Sequence, residues 1–231
     1  MSCRRGVPVS LRRGASAVFA KDVRSELRTR YAVNALFMFV VVAIAVILFA
    51  LAGETLGRAV HAGLLWVVMF FAAMSGLSRS FVAEEERGTS LALQLLCSPT
   101  AVYLGKLLFN VALSLVLNAF IVALFLVFLP EIRVNQPGLF LTVIALGSVA
   151  TAAATTIIAA IIAKANTKGT LFPVLSFPIL LPLLMAGISA TKAAIEGNTW
   201  NEAWPDLQLL VSYCAVVVTA SYLLFDFVWK E

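Results

Sequence analysis

Apolar residues along this chain gather into six long runs, roughly Asn34 to Ala52, Ala59 to Leu77, Leu107 to Leu129, Leu139 to Ala163, Thr170 to Ala190 and Leu207 to Phe225. Each approaches or exceeds the ~20 apolar residues a helix needs to cross a bilayer. None carries an acidic or basic residue in its middle. The pattern predicts an all-α, polytopic membrane protein with six transmembrane helices. Ahead of the first run the period changes. Phe19, Val23, Leu27 and Tyr31 recur every four residues and make one helical stripe, while Lys21, Asp22, Arg24, Glu26, Arg28 and Arg30 fill the other faces. That pattern predicts an amphipathic helix from Ser16 to Tyr31 lying in the membrane interface, with Glu26 and Arg30 placed to pair. A plain extension of the first span is the alternative.

The loop between the second and third runs, Ser78 to Lys106, contains a second short helical pattern. Glu84, Glu85, Glu86, Arg87, Gly88 and Thr89 precede Leu91, Leu93, Leu95 and Leu96, and Ser98-Pro99 follows. Thr89 or Ser90 can cap a helix here, and the carboxylates suit the positive end of its dipole. Pro99 ends it, because the residue before a proline is pushed out of helical geometry. The product is a two-turn helix, apolar on nearly every face, outside the membrane. Short isolated helices are marginal in water, so something must cover it: a soluble partner that it docks into, or the protein's own spans.

Three further patterns bear on the spans. The fourth is rich in small and hydroxyl residues, with Gly147, Thr151, Thr155 and Ala159 on one face, the composition that lets helices approach closely in lipid, with a pore-facing role as the alternative. The fifth contains Pro173, Pro178 and Pro182. Each removes a backbone donor, which predicts a broken or hinged element. Between the fifth and sixth spans, Trp200 and Trp204 stand four residues apart. Tryptophan there suits a membrane anchor or a stacking surface for a flat ligand or partner. His61, the one histidine, lies at the mouth of the second span. It is either structural or, since imidazole is a common axial ligand of heme iron, a heme contact.

Composition narrows the class. With 61% apolar and 13% charged residues among 231, the chain has more apolar surface than a soluble core of this size can hide. The expected organisation is a basic, disordered stretch over residues 1–15 and one membrane domain over residues 16–231. The 17 basic residues are distributed unevenly: fourteen fall on the side of the N-terminus and only Arg58, Arg133 and Lys192 on the other. The positive-inside rule then puts both termini in the cytoplasm, and the basic N-terminus reads as contact with anionic lipid rather than nucleic acid. No short h-region with a cleavage site precedes the first span, which is expected to stay in the mature protein. Cys3, Cys97 and Cys214 have neither metal-ligand spacing nor an evident disulfide framework. No phosphate-binding glycine loop, nucleophile elbow or zinc motif occurs, and no catalytic group is identified. Without intramembrane carboxylates the chain has no ion-coupling machinery of its own, so any transport must be driven by a partner.

Two segments carry a family resemblance. Lys21-Asp22-Val23-Arg24-Ser25-Glu26-Leu27-Arg28-Thr29-Arg30-Tyr31-Ala32 is similar to the N-terminal signature of heme exporter protein B, the permease of the cytochrome c maturation system. Glu84, Glu86, Gly88-Thr89, Leu95-Leu96, Ser98-Pro99 and Gly105-Lys106 resemble that family's cytoplasmic loop and, more loosely, the coupling loop of ABC-2 type permeases. The resemblance implies the permease subunit of an ATP-driven heme exporter in the bacterial inner membrane. Heme would be cargo rather than a bound cofactor, and ATP would be hydrolysed by a separate cytoplasmic ATPase subunit engaged through Glu84 to Lys106. It further implies a permease homodimer beside heme-handling membrane subunits. Two rivals differ in kind: an ABC-2 permease for another amphiphile (lipid, polysaccharide or drug), and a membrane scaffold that transports nothing.

Overall fold

The computed structural model describes residues 11–29, 31–51, 57–77, 81, 84, 88, 93, 98–129, 133–163 and 168–230. Among them every regular element is a helix: α1 Leu11–Thr29, α2 Tyr31–Leu51, α3 Arg58–Leu77, α4 Pro99–Phe128, α5 Pro137–Ala163, α6 Lys168–Glu196 and α7 Trp200–Lys230. Helices α2 to α7 supply six segments long and apolar enough to span a bilayer, in the six places the hydropathy pattern puts them. In a membrane every backbone polar group must be satisfied within the protein, which a helix does by itself.

Helix α5 is the centre of the bundle. It packs against α3, α4, α6 and α7, and every residue from Ala150 to Ala160 is buried. The small side chains of Gly147, Thr151, Thr155 and Ala159 make this enclosure feasible, because packing rather than hydrophobic drive holds helices together in lipid. On α3, the indole of Trp66 fills the gap that two glycines leave. A β-carbon at Gly147 of α5 or at Gly187 of α6 would lie 2.3 Å from its ring, and its Nε1 donates to Thr191 Oγ1 of α6 at 2.9 Å. Helix α2 sits at the periphery against α3 and α4, with Met38, Val42, Val46 and Phe49 exposed in the manner of a lipid-facing surface.

Three differences from the sequence pattern have physical causes. The third span starts at Pro99 rather than Leu107: Ser98 is its N-cap, accepting from the Ala101 N–H, and Pro99 is its first residue, where a missing N–H costs nothing. Pro99 therefore opens a helix here, and the end of any preceding one lies outside the described residues. Helix α6 is continuous through Pro173, Pro178 and Pro182 rather than broken. Neighbours support it, as in the bond at 2.8 Å from Tyr213 Oη of α7 to the Ile179 carbonyl, next to the carbonyl that Pro182 leaves without its donor. Finally, α1 begins at Leu11, five residues before Ser16, so residues 11–15 are helical rather than disordered, and the burial of Gly14 and Ala15 against α4 holds that extra turn. At the far end of the bundle, Gly197 takes the left-handed conformation (φ 89°) that closes α6. The Thr199 N–H then donates to Glu202 Oε2 at 3.1 Å as α7 starts.

Candidate functional site: a buried ion cluster where three helices and a loop meet

Helix α4 has 30 residues, about 45 Å at 1.5 Å per residue, against a hydrocarbon core of about 30 Å. Its first turns therefore reach past the bilayer core, and α1 is seated on them. Small residues set the contact. A β-carbon on Gly105 would come within 2.6 Å of Val18 Cβ and 2.7 Å of the Ala15 carbonyl oxygen, and one on Gly14 within 2.9 Å of Ala101 Cβ. Gly105 and Ala101 stand four apart on α4, facing Gly14, Ala15 and Val18 of α1, so the two backbones approach as small-residue helix pairs do in membranes.

That approach brings charge together. Lys106, the next residue on α4, is completely buried. Its Nζ donates to Asp22 Oδ2 of α1 at 3.2 Å and to Glu84 Oε1 of the loop at 3.4 Å. Lys21 completes the group, bonding Glu84 and lying 3.2 Å from Asp22 Oδ1. Two cations thus balance two carboxylates. Burial opposes the charged form of Lys21, but hydrogen bonding to Glu84 and the charges of Asp22 and Glu84 outweigh it, and its pKa stands above the ordinary lysine value.

The loop is fastened on its other side by aromatics. Lys106 Nζ lies 5.1 Å from the centroid of the Phe81 ring, within cation–π range. Phe81 meets Phe225 and Trp229 of α7 at centroid distances of 5.7 and 6.1 Å, and Phe225 stacks on Trp229 and meets Tyr103 of α4. Phe81 and Glu84, both helical, therefore tie the start of the loop to α1, α4 and α7 at once.

Below the cluster a polar line continues into α4. Asn110, Ser114 and Asn118 follow Lys106 at four-residue steps and are all buried. Asn110 Nδ2 donates to Thr156 Oγ1 at 2.8 Å, Ser114 Oγ to the Ser148 carbonyl at 3.2 Å, and Asn118 Nδ2 to Ser148 Oγ at 2.8 Å. Thr155 and Thr156 also donate back to carbonyls of their own helix. The pattern joins α4 to α5 over several turns.

The residues singled out in the sequence divide into three groups. Lys21, Asp22 and Glu84 meet in the cluster, and Glu84 faces inward rather than forming a solvated cap. Glu26 is half-buried, while Leu27 and Arg28 are exposed. Gly88 is an exposed turn residue with φ 65°, Leu93 is helical and packs on the core, and Ser98 and Pro99 open α4. Glu85, Glu86, Arg87, Thr89, Leu91, Leu95, Leu96, Arg30 and the Tyr31 side chain lie outside the described residues. At the opposite end His61 is buried, with Nδ1 3.3 Å from the Gly57 carbonyl oxygen, in a small apolar pocket beside Leu65, Phe125 and Phe140. Trp200 and Trp204 are exposed. The sequence pattern marks Lys106 only as the end of the loop, and it does not mark the ladder beneath it. The signal was there: Lys106, Asn110, Ser114 and Asn118 are polar residues at strict helical spacing in an otherwise apolar run. Among the described residues no cluster of His, Cys, Asp and Glu could hold a metal ion.

In comparison with known proteins, the family described as CcmB protein matches residues 13–226. No curated protein and no solved structure matches the chain.

Proposed function

This chain belongs to the CcmB family, that of heme exporter protein B, a membrane component of heme export in cytochrome c maturation, and we propose that it works as a permease driven through the Glu84–Lys106 loop by a separate ATP-binding subunit. The chain is not itself an enzyme. Its energy comes from ATP hydrolysed in that partner, and heme is the cargo. Both termini face the cytoplasm, the chain from Leu11 onward acts as one membrane domain, and two copies pair beside heme-handling subunits of the same system.

The observation that carries this reading is the fastening of one loop entrance to three helices. A force applied to the loop after Glu84 reaches α1 through Asp22, α4 through Lys106, and α7 through Phe81. Buried charge pairs and stacked aromatics transmit displacement because separating them leaves charges or apolar area uncovered. The buried α5 then acts as the body against which the outer helices shift. Lys106 and Asp22 are positioning residues in this scheme and touch no cargo.

Charged substitution of the leucines that would enter the ATPase, Leu95→Glu with Leu96→Glu, tests it. Membrane insertion should persist while copurification with the ATP-binding subunit is lost. A variant that still copurifies with an active ATPase refutes the docking role. A heme absorption band that copurifies with the wild-type assembly, and survives washing, supports heme over another amphiphile.

A further inference from the structure

Helix α1 presents three distinct faces, and only one of them is fully covered by protein. Gly14, Ala15, Val18 and Asp22 are buried against α4 and the loop. Phe19 and Val23, half-buried, and Leu27, 65% exposed, form the apolar stripe. Arg13, Arg24 and Arg28 are all exposed. At 100° per residue they fall within an arc of about 60°, and the centres of the three faces lie roughly 120° apart. We propose that the two uncovered faces together bind the anionic phospholipid of the adjacent leaflet, with Arg13, Arg24 and Arg28 on the headgroups and Phe19, Val23 and Leu27 among the acyl chains.

Three observations select this occupant. The first is position. Helix α1 ends at Thr29 and α2 begins at Tyr31, and α2 is a membrane span from Val33 onward, so α1 is held within one turn of the bilayer. The second is chemistry. An apolar stripe beside a cationic one matches a molecule with a hydrocarbon tail and an anionic head, whereas a nucleic acid or an acidic peptide would leave Leu27 in water. The third is the division of charge within α1. Lys21 and Asp22 turn inward to the cluster, which is balanced, so the outward arginines keep a net positive field. Arginines flanking a bilayer-facing stripe reach the phosphate plane as amphipathic surface helices do, and each basic residue near an anionic surface adds about 1 kcal/mol of attraction. Because Asp22 is bonded to Lys106, lipid held on the outer faces of α1 also steadies the inner one.

The test uses the purified full chain alone in phosphatidylcholine nanodiscs, so its outcome is independent of any ATPase or cargo. A fluorophore is attached at Ala20→Cys, an exposed position between the two uncovered faces, with Cys3, Cys97 and Cys214 replaced by Ser. Phosphatidylglycerol and phosphatidylcholine, carrying the same chain-attached spin label, are then compared as quenchers. Phosphatidylglycerol should quench at no more than about one-fifth the mole fraction that phosphatidylcholine needs, the ratio that the attraction of a single arginine already gives. Arg13→Gln, Arg24→Gln and Arg28→Gln together should bring the two lipids level. The opposite-side variant Arg58→Gln, Arg133→Gln, Lys192→Gln removes the same charge and should leave the preference intact. Raising the salt from 0.1 to 1 M shortens the screening length from about 10 to about 3 Å and should abolish the preference in the wild type. Equal quenching by both lipids in the wild type overturns the proposal, as does a preference that survives either the three α1 substitutions or high salt.

Discussion

Replacing Lys106 with Met should be among the most damaging single changes in this protein. The Lys106 side chain is 1% exposed, and it holds two carboxylates whose side chains are only 10% and 12% exposed, Asp22 and Glu84. Removing it leaves both facing each other with Lys21, which is 40% exposed, as the remaining cation of the quartet. Breaking a buried ion pair from one side costs about 3–5 kcal/mol, because the orphaned charge stays buried, whereas neutralising the three buried partners together leaves no buried orphan, since Lys21 is 40% exposed and within reach of water. The decisive comparison is therefore between the single variant Lys106→Met and the triple variant Lys106→Met, Asp22→Asn, Glu84→Gln. Equilibrium unfolding in mixed micelles should place the single variant about 3–5 kcal/mol below wild type and the triple variant well above the single. The triple variant should nevertheless fail in transport, since neutral amides and a thioether do not hold the loop to α1 and α4 as the charges do. A Lys106→Met protein within 1 kcal/mol of wild type, or a triple variant no more stable than the single, refutes the claim that charge pairing holds these elements together.

Gly105→Leu should lift α1 from α4, since even a β-carbon there meets Val18 Cβ at 2.6 Å; overpacking costs about 1–3 kcal/mol, and protease access to the α1 segment should rise in unfolding-resistant conditions. Trp66→Ala should destabilise by about 3–5 kcal/mol through the cavity it opens, while Thr191→Val, which only removes the indole's acceptor, should cost about 1 kcal/mol and shift the indole fluorescence. Asn118→Leu breaks the bond to Ser148 at 2.8 Å, yet intramembrane hydrogen bonds average only about 0.6 kcal/mol; stability measured by the same unfolding assay should fall by less than about 2 kcal/mol.

The six spans were readable because lipid imposes a length and a polarity that few other solvents demand. Uncharged runs such as Leu139 to Ala163 have no other stable place. The enclosure of Gly147, Thr151, Thr155 and Ala159 followed from their size. The continuity of α6 did not, because a proline's effect depends on how neighbours such as Tyr213, bonded to the Ile179 carbonyl, brace the backbone around it. The ion cluster was hidden by chain distance. Asp22 and Lys106 are 84 residues apart, and Lys106 follows a loop that already contains five charges, so a local pattern reads it as one more solvated cation. Gly105 was the nearest clue, since a glycine on an apolar helix marks a place where another backbone comes close. The amphipathic stripe of α1 was visible as a stripe. What it did not reveal is that the protein-facing side is a different one, made of Gly14, Ala15, Val18 and Asp22, where small size matters more than hydrophobicity.

The ladder of Asn110, Ser114 and Asn118 against Thr156 and Ser148 carries an implication for routes across the membrane. To part α4 from α5, these amides and hydroxyls would have to give up their acceptors with only hydrocarbon to replace them, a loss repeated at each rung. That crevice therefore resists opening at every rung.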